Sequence, residues 1–112
     1  MTQVLLAVRY RVTADPVAFR HSMEKPAAAI ASVDGLRWKI WGLDTECGQG
    51  LSAYLFASKA AATRFADGPI IERLRGHPDV VDVSVALAPV DQQLSELTHA
   101  STALSHVPGL AV

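Results

Sequence analysis

The sequence has a single cysteine, Cys47, in 112 residues, so neither an intramolecular disulfide nor a zinc site built on paired thiolates can form. It has no surplus of either charge: ten basic residues against eleven acidic ones leave a net charge of −1. That excludes the basic footprint of a nucleic-acid-binding protein and the polybasic patch that draws a protein to anionic membrane. No apolar run approaches the ~20 residues needed to cross a bilayer. Met1-Thr2-Gln3 leads straight into β-like sequence, without a basic or long apolar leader. A cytoplasmic protein is expected, with neither nucleic acid nor membrane as a partner.

Motifs for chemistry are equally scarce. A glycine-rich phosphate cradle, a His-x-x-x-His pair and a Ser or Cys nucleophile in a recognisable elbow are all missing. The histidines at positions 21, 77, 99 and 106 are scattered along the chain, which suits surface residues better than metal ligands. No metal and no cofactor are expected.

What the chain does have is apolar surface, at half of its residues. A chain of this length makes one domain and buries about two-thirds of its surface on folding. Pairing with a second copy would complete that burial.

Val4 to Val12 reads as a strand, followed by a helix capped by Asp15 with Pro16 in its first position. That helix carries Phe19, Met23, Ala27, Ile30 and Ala31 in one apolar stripe, and Pro26 should kink it. Leu36 to Thr45 and Leu51 to Ala57 form a hairpin across a turn containing Gly48 and Gly50. Ser58 caps a second helix, Lys59 to Ala66, which Asp67-Gly68-Pro69 interrupts before a further turn or two ending at Gly76. Val80 to Ala88 is the fourth strand, and a short helix with Leu94 and Leu97 follows Asp91. The order β-α-β-β-α-β is the ferredoxin-like, split βαβ plan: α+β, with a four-stranded antiparallel sheet and its helices on one face. The domain spans residues 1–97, and the tail 98–112 is expected to be loosely ordered or laid on a partner.

Side-chain alternation sorts each strand into two faces. The set Val4, Leu6, Val8, Tyr10, then Leu36, Trp38, Ile40, then Leu51, Ala53, Leu55, then Val81, Val83, Val85, Leu87 is almost wholly apolar and is expected beneath the helices. The opposite set mixes Arg9, Lys39 and Asp82 with Trp41, Tyr54 and Phe56. Aromatics of that size left in water mark an interface. Two sheets packed face to face would bury them and bring Arg9, Arg37 or Lys39 to Asp82, so a homodimer is expected unless the tail covers this face.

Gly35-Leu-Arg-Trp-Lys-Ile-Trp41 followed by Ala53-Tyr-Leu-Phe56 resembles the YdhR-type putative monooxygenase family, as do Lys25-Pro26 and Pro89-Val-Asp-Gln-Gln-Leu-Ser95. The resemblance spans about residues 3 to 97. It implies a dimeric α+β barrel and oxygenation of a small organic substrate without metal or flavin, an activity assigned in that family by analogy of fold.

The expected binding pocket lies between the sheet and its helices. Tyr10 and Trp38 supply aromatic surface with polar tips, and Phe19, Met23, Ile40, Phe65 and Ile71 supply apolar wall. Small residues such as Ala27 and Ala31 leave room there. The plain alternative is that these side chains simply fill the core. A second group, Lys39, Trp41 and Tyr54, belongs to the interface on this reading, although a desolvated Lys39 could serve as a base. His77 could relay a proton at a pocket mouth; as a solvated loop residue it would do nothing.

Three functions stay open at this point. One is cofactor-independent oxygenation of an aromatic or enolisable substrate, which supplies its own electrons once deprotonated. Another is isomerisation or cyclisation by proton transfer alone. The third is binding of a small molecule without turnover. No acid–base pair in the sequence separates them, and no catalytic residue is identified.

Overall fold

Nine residues of alternating burial, Val4–Val12, form β1 at the centre of the sheet. The computed structural model describes residues 2–105. Asp15 accepts hydrogen bonds from the backbone N–H groups of Val17 and Ala18 and caps α1 (Pro16–Ser22). The chain breaks at Met23 and restarts as α2 (Glu24–Ala31). Pro26 stands in the first turn of α2, where its missing N–H has no intrahelical bond to lose. The expected kink is thus a break between two short helices.

β2 (Leu36–Leu43) and β3 (Gln49–Phe56) form the hairpin. At its turn the Asp44 carboxylate accepts from the N–H groups of Glu46 and Cys47, and Gly48 takes φ +81°, a conformation that favours glycine. Ser58 caps α3 (Lys59–Ala66) through the Ala61 N–H. Gly68 and Pro69 start α4 (Pro69–Arg75), which Gly76 ends. β4 (Val80–Pro89), α5 (Gln92–Leu97) and α6 (Ser101–Ser105) complete the chain.

The sheet runs β2-β3-β1-β4 with every neighbouring pair antiparallel, the α+β order read from the sequence. Its inner face packs on the helices. Val4, Leu6, Val8 and Tyr10 meet Phe19 of α1, Ile30 of α2, Ala62 and Phe65 of α3 and Ile71 of α4 in one core. Among the described residues no helix is long and apolar enough to cross a membrane.

Two irregularities decide which side chains reach that core. Cross-strand partners in a ladder share a face. Leu36 pairs with Phe56, but Trp38 then pairs with Leu55, so a bulge at Arg37 reverses the alternation of β2. Lys39 and Trp41 therefore face inward beside Tyr54 and Ser52, and Trp38 and Ile40 face outward. In β3 the inner set is Ser52, Tyr54 and Phe56, opposite Val8, Leu6 and Val4 of β1. A second shift lies between Arg9 and Arg11 where they meet β4; Asp82 sits there at φ 58°, and Val81 comes to the outer face.

These observations correct the sequence-based assignment of faces. Trp38, Ile40, Leu51, Ala53, Leu55 and Val81 lie on the outer face, whereas Lys39, Trp41, Tyr54 and Phe56 project to the helix side, where Trp41 stays 39% exposed. Uniform alternation fails because one inserted residue per bulge moves everything beyond it to the other side. In β3, where no bulge intervenes, both alternating sets are apolar, and the ladder to β1 makes the choice.

The described part of the tail lies on its own chain. Trp38 donates its indole N–H to the Ala103 carbonyl at 2.7 Å, and the Gln3 amide donates to the Leu104 carbonyl at 3.0 Å. Leu55, beside Trp38 in the ladder, is fully buried. The rest of the outer face leaves Leu5, Ile40, Leu51 and Val81 exposed. His106 and the remainder of the tail lie outside the described residues.

Candidate active site

Between the inner face of the sheet and the helices α2 and α4 lies a cavity of about 660 Å³, a size that suits a small organic molecule. Val8 and Tyr10 of β1, Lys39 and Trp41 of β2 and Ser52 and Tyr54 of β3 form its floor. Met23, Lys25 and Ile30 wall one side, and Ile70, Ile71 and Leu74 wall the other, with Arg73 and His77 beside them. The break before α2 and the separate start of α4 at Gly68-Pro69 set these two short helices on either side of the space.

Each polar group on the floor has a distinct setting. The Lys39 ammonium lies 3.1 Å from the centroid of the Trp41 ring and 4.6 Å from that of Tyr54. Burial lowers its pKa from 10.5 to about 7, because the ammonium has exchanged water for ring faces. Burial pushes the Tyr54 hydroxyl up, with Tyr10 nearby adding to the effect, and raises Tyr10 as well; both phenols stay neutral, able to donate. Ser52 is 2% exposed, and its hydroxyl has no hydrogen-bond partner among the described residues. Such a group normally finds one. His77 stacks edge-on against Phe19 with centroids 5.4 Å apart. Its Nδ1 accepts from the Asp79 N–H at 3.0 Å, so in a neutral ring Nε2 carries the proton.

Of the seven residues expected to bind substrate, Tyr10, Met23 and Ile71 line this cavity. Phe19 and Phe65 are buried behind it: Phe19 stands 5.8 Å from Tyr10, and Phe65 stands 4.9 Å from Tyr54, ring to ring. Trp38 and Ile40 are on the opposite side of the sheet, corrected by the bulge at Arg37. Of the six expected at a dimer interface, Lys39, Trp41 and Tyr54 line the cavity and Phe56 is in the core. Arg9 and Asp82 remain exposed, and Asp82 pairs with Arg11 of its own chain at 3.4 Å.

Sequence reasoning missed Ser52, Lys25, Ile70, Arg73 and Leu74. One signal was available: Tyr54 and Phe56 carry far more apolar area than Ala53 and Leu55, so the aromatic set of β3 had the stronger claim to the interior. Among the described residues no three His, Cys, Asp or Glu side chains are grouped as a metal site.

Solved structures share this fold. A mutant form of SnoaB, a cofactor-independent oxygenase from Streptomyces nogalater, superposes with a TM-score of 0.65 at 15% identity, over 82% of this chain and 96% of that one. A protein from Deinococcus radiodurans described as a putative antibiotic biosynthesis monooxygenase gives 0.63 at 18% identity, over 78% and 91%. The heme-degrader MhuD from Mycobacterium tuberculosis, with two hemes bound in its active site, gives 0.60 at 19% identity, over 79% and 95%. No curated protein matches the chain. The family model described as "Putative mono-oxygenase ydhR" matches residues 5–101, nearly the whole of the sheet-and-helix domain, and the chain belongs to that family.

Proposed function

We propose that this protein is an oxygenase that uses no cofactor and acts on a planar aromatic molecule with an ionisable hydroxyl. The observation that carries this reading is one desolvated amine, Lys39, on the floor of a large apolar cavity among rings that can stack on a flat ligand. An amine with a pKa of about 7 is substantially neutral at physiological pH, the condition for a general base. Lys39 takes the proton of a ring hydroxyl, and the ring anion transfers an electron to dioxygen. The two radicals combine to form a carbon–oxygen bond, giving a ring hydroperoxide. Cleavage of its O–O bond with loss of water leaves a quinone carbonyl at that carbon. Both electron pairs come from the substrate, and the apolar walls keep water from the anion. The likeness to SnoaB supports this reading.

The same reading includes a homodimer. The exposed Leu5, Ile40, Leu51 and Val81 lie on one sheet face, and a second copy laid on that face would bury them. Light scattering at micromolar protein should give the dimer mass; a monomer at all concentrations sinks the pairing. We place the protein in the cytoplasm, where an exposed lone thiol such as Cys47 stays reduced.

The test is dissolved-oxygen uptake with a panel of hydroxylated aromatics, a chelator present and nothing else added. Saturable uptake that disappears in Lys39→Met supports the oxygenase. Product formed equally well under nitrogen would instead assign proton transfer alone.

A further inference from the structure

Among the described residues the ionisable side chains around the cavity include no carboxylate. Lys25, Lys39, Arg73 and His77 line it together with the neutral phenols Tyr10 and Tyr54, and no Asp or Glu is among its lining residues. The ion pairs of the described residues are Arg11–Asp82, Arg20–Glu24 and Arg64–Asp34, so none engages a cavity cation. Among the described residues no carboxylate stands beside the Lys39 ammonium, and a desolvated ammonium requires such a partner. Ser52 stands opposite Trp41 in the ladder, and its hydroxyl is sealed beneath the cavity floor, which leaves the Lys39 ammonium as the polar group that a ligand on the floor meets.

We infer that the cavity selects a planar organic acid, bound with its ionised oxygen against the Lys39 ammonium and its ring in the apolar space above. The inference rests on the cavity being the substrate site, as proposed above, and adds the class of molecule it takes. The oxyanion can belong to a carboxylate or to an acidic phenol or enol. It can enter ionised and meet the ammonium, or enter as the acid and give its proton to the neutral amine; the bound pair is the same. Lys25 and Arg73, both exposed on facing helices, add positive potential at the sides. Tyr10, Tyr54 and the apolar side chains of α2 and α4 hold the ring. A neutral molecule of equal shape fills the same space but leaves Lys39 without a partner.

The experiment is calorimetric titration under nitrogen with 2-naphthoate, its neutral isostere 2-naphthamide, and 4-nitrophenol, whose phenol and phenolate absorb at different wavelengths. The wild-type protein should bind the naphthoate at least about tenfold more tightly than the amide, the worth of one charge-assisted hydrogen bond. It should also hold nitrophenol as the phenolate below the pH at which the free phenol ionises. Lys39→Met, with its fold checked by circular dichroism, should abolish the preference while changing amide affinity less than about threefold. Ser52→Ala, which alters a hydroxyl sealed from the cavity, should leave the preference in place. Failure of all three probes to bind, equal or tighter binding of the amide, or a preference that persists in Lys39→Met overturns the inference. Because oxygen is absent, an acid-selective cavity with no oxygen uptake would remove the oxygenase and leave this result standing. Uptake with neutral substrates preferred over acids would do the reverse.

Discussion

The Lys39 ammonium and the Trp41 ring lie 3.1 Å apart, ion to ring centroid, two positions along the same edge strand. The contact exists only because both side chains project from the inner face, and it gives the cavity its one deep charge. A ring face returns about 0.5–2 kcal/mol of the hydration that the ammonium loses. The remainder of that cost appears in its lowered pKa.

The first prediction follows from that pKa. The folded value is about 7 and the ordinary one 10.5, so between these pH values the unfolded chain binds more protons than the folded one. Stability contributed through Lys39 therefore rises as pH climbs from 7 to 10.5 and is at its lowest below 7. Lys39→Met should be more stable than the parent by about 2 kcal/mol at pH 6, a figure discounted because the cavity admits some solvent. The gap should shrink toward pH 10. Urea denaturation at the two pH values measures it, and an equal gap at both would show that Lys39 is not desolvated.

Trp38 and Trp41 should behave oppositely. Trp41→Ala removes cavity floor and the ring beneath Lys39, and should cost a bound naphthoate at least about 1 kcal/mol. Trp38→Ala removes the donor to Ala103 on the far face and should leave affinity unchanged, while faster hydrogen exchange appears in α6. Loss of affinity in Trp38→Ala alone would return the pocket to the other side of the sheet.

Gly50 lies opposite Tyr10 in the ladder, and a Cβ there would sit 2.1 Å from Cζ of that ring. Gly50→Ala must push Tyr10 into the cavity or bend β3. A loss of about 1–3 kcal/mol is expected, together with weaker ligand binding. A thermal melt unchanged within error would mean that Tyr10 is free to swing away.

Asp82 holds φ 58° in the bulge of β4, where a side chain costs about 1 kcal/mol. Asp82→Gly should match or exceed wild-type stability, since the ion pair it loses is exposed on both sides and worth little. Asp82→Val, β-branched, should lose about 1–2 kcal/mol. A melt in which Val is tolerated as well as Gly would contradict a fixed bulge.

Local signals placed the four strands and most of the helices; the separation of α1 from α2 and the short α6 (Ser101–Ser105), in a tail without clear periodicity, were not among them. The Asp15 and Ser58 caps, Pro16 and Pro69 at helix starts, and the glycine-containing turn before Gln49 act over a few residues, so their neighbours in sequence suffice to find them. Part of the site was likewise legible: Tyr10 follows from the alternation of β1 and Ile71 from the segment opened by Pro69, while Met23, read on a continuous helical stripe, keeps its place at the break between α1 and α2.

The composition, the strand and helix order and the placement of β1 were determined by the sequence alone, because hydrophobic periodicity and capping are short-range properties of the chain. The faces of β2 and of the first residues of β4 were decided by the tertiary structure. A bulge at Arg37 and another at Asp82 each insert one residue, and one residue is enough to exchange inside for outside in a strand. In β3 both faces are apolar enough to be buried, so the register with β1, set by contacts between segments distant in the chain, determined that Tyr54 and Ser52 would stand beside Lys39.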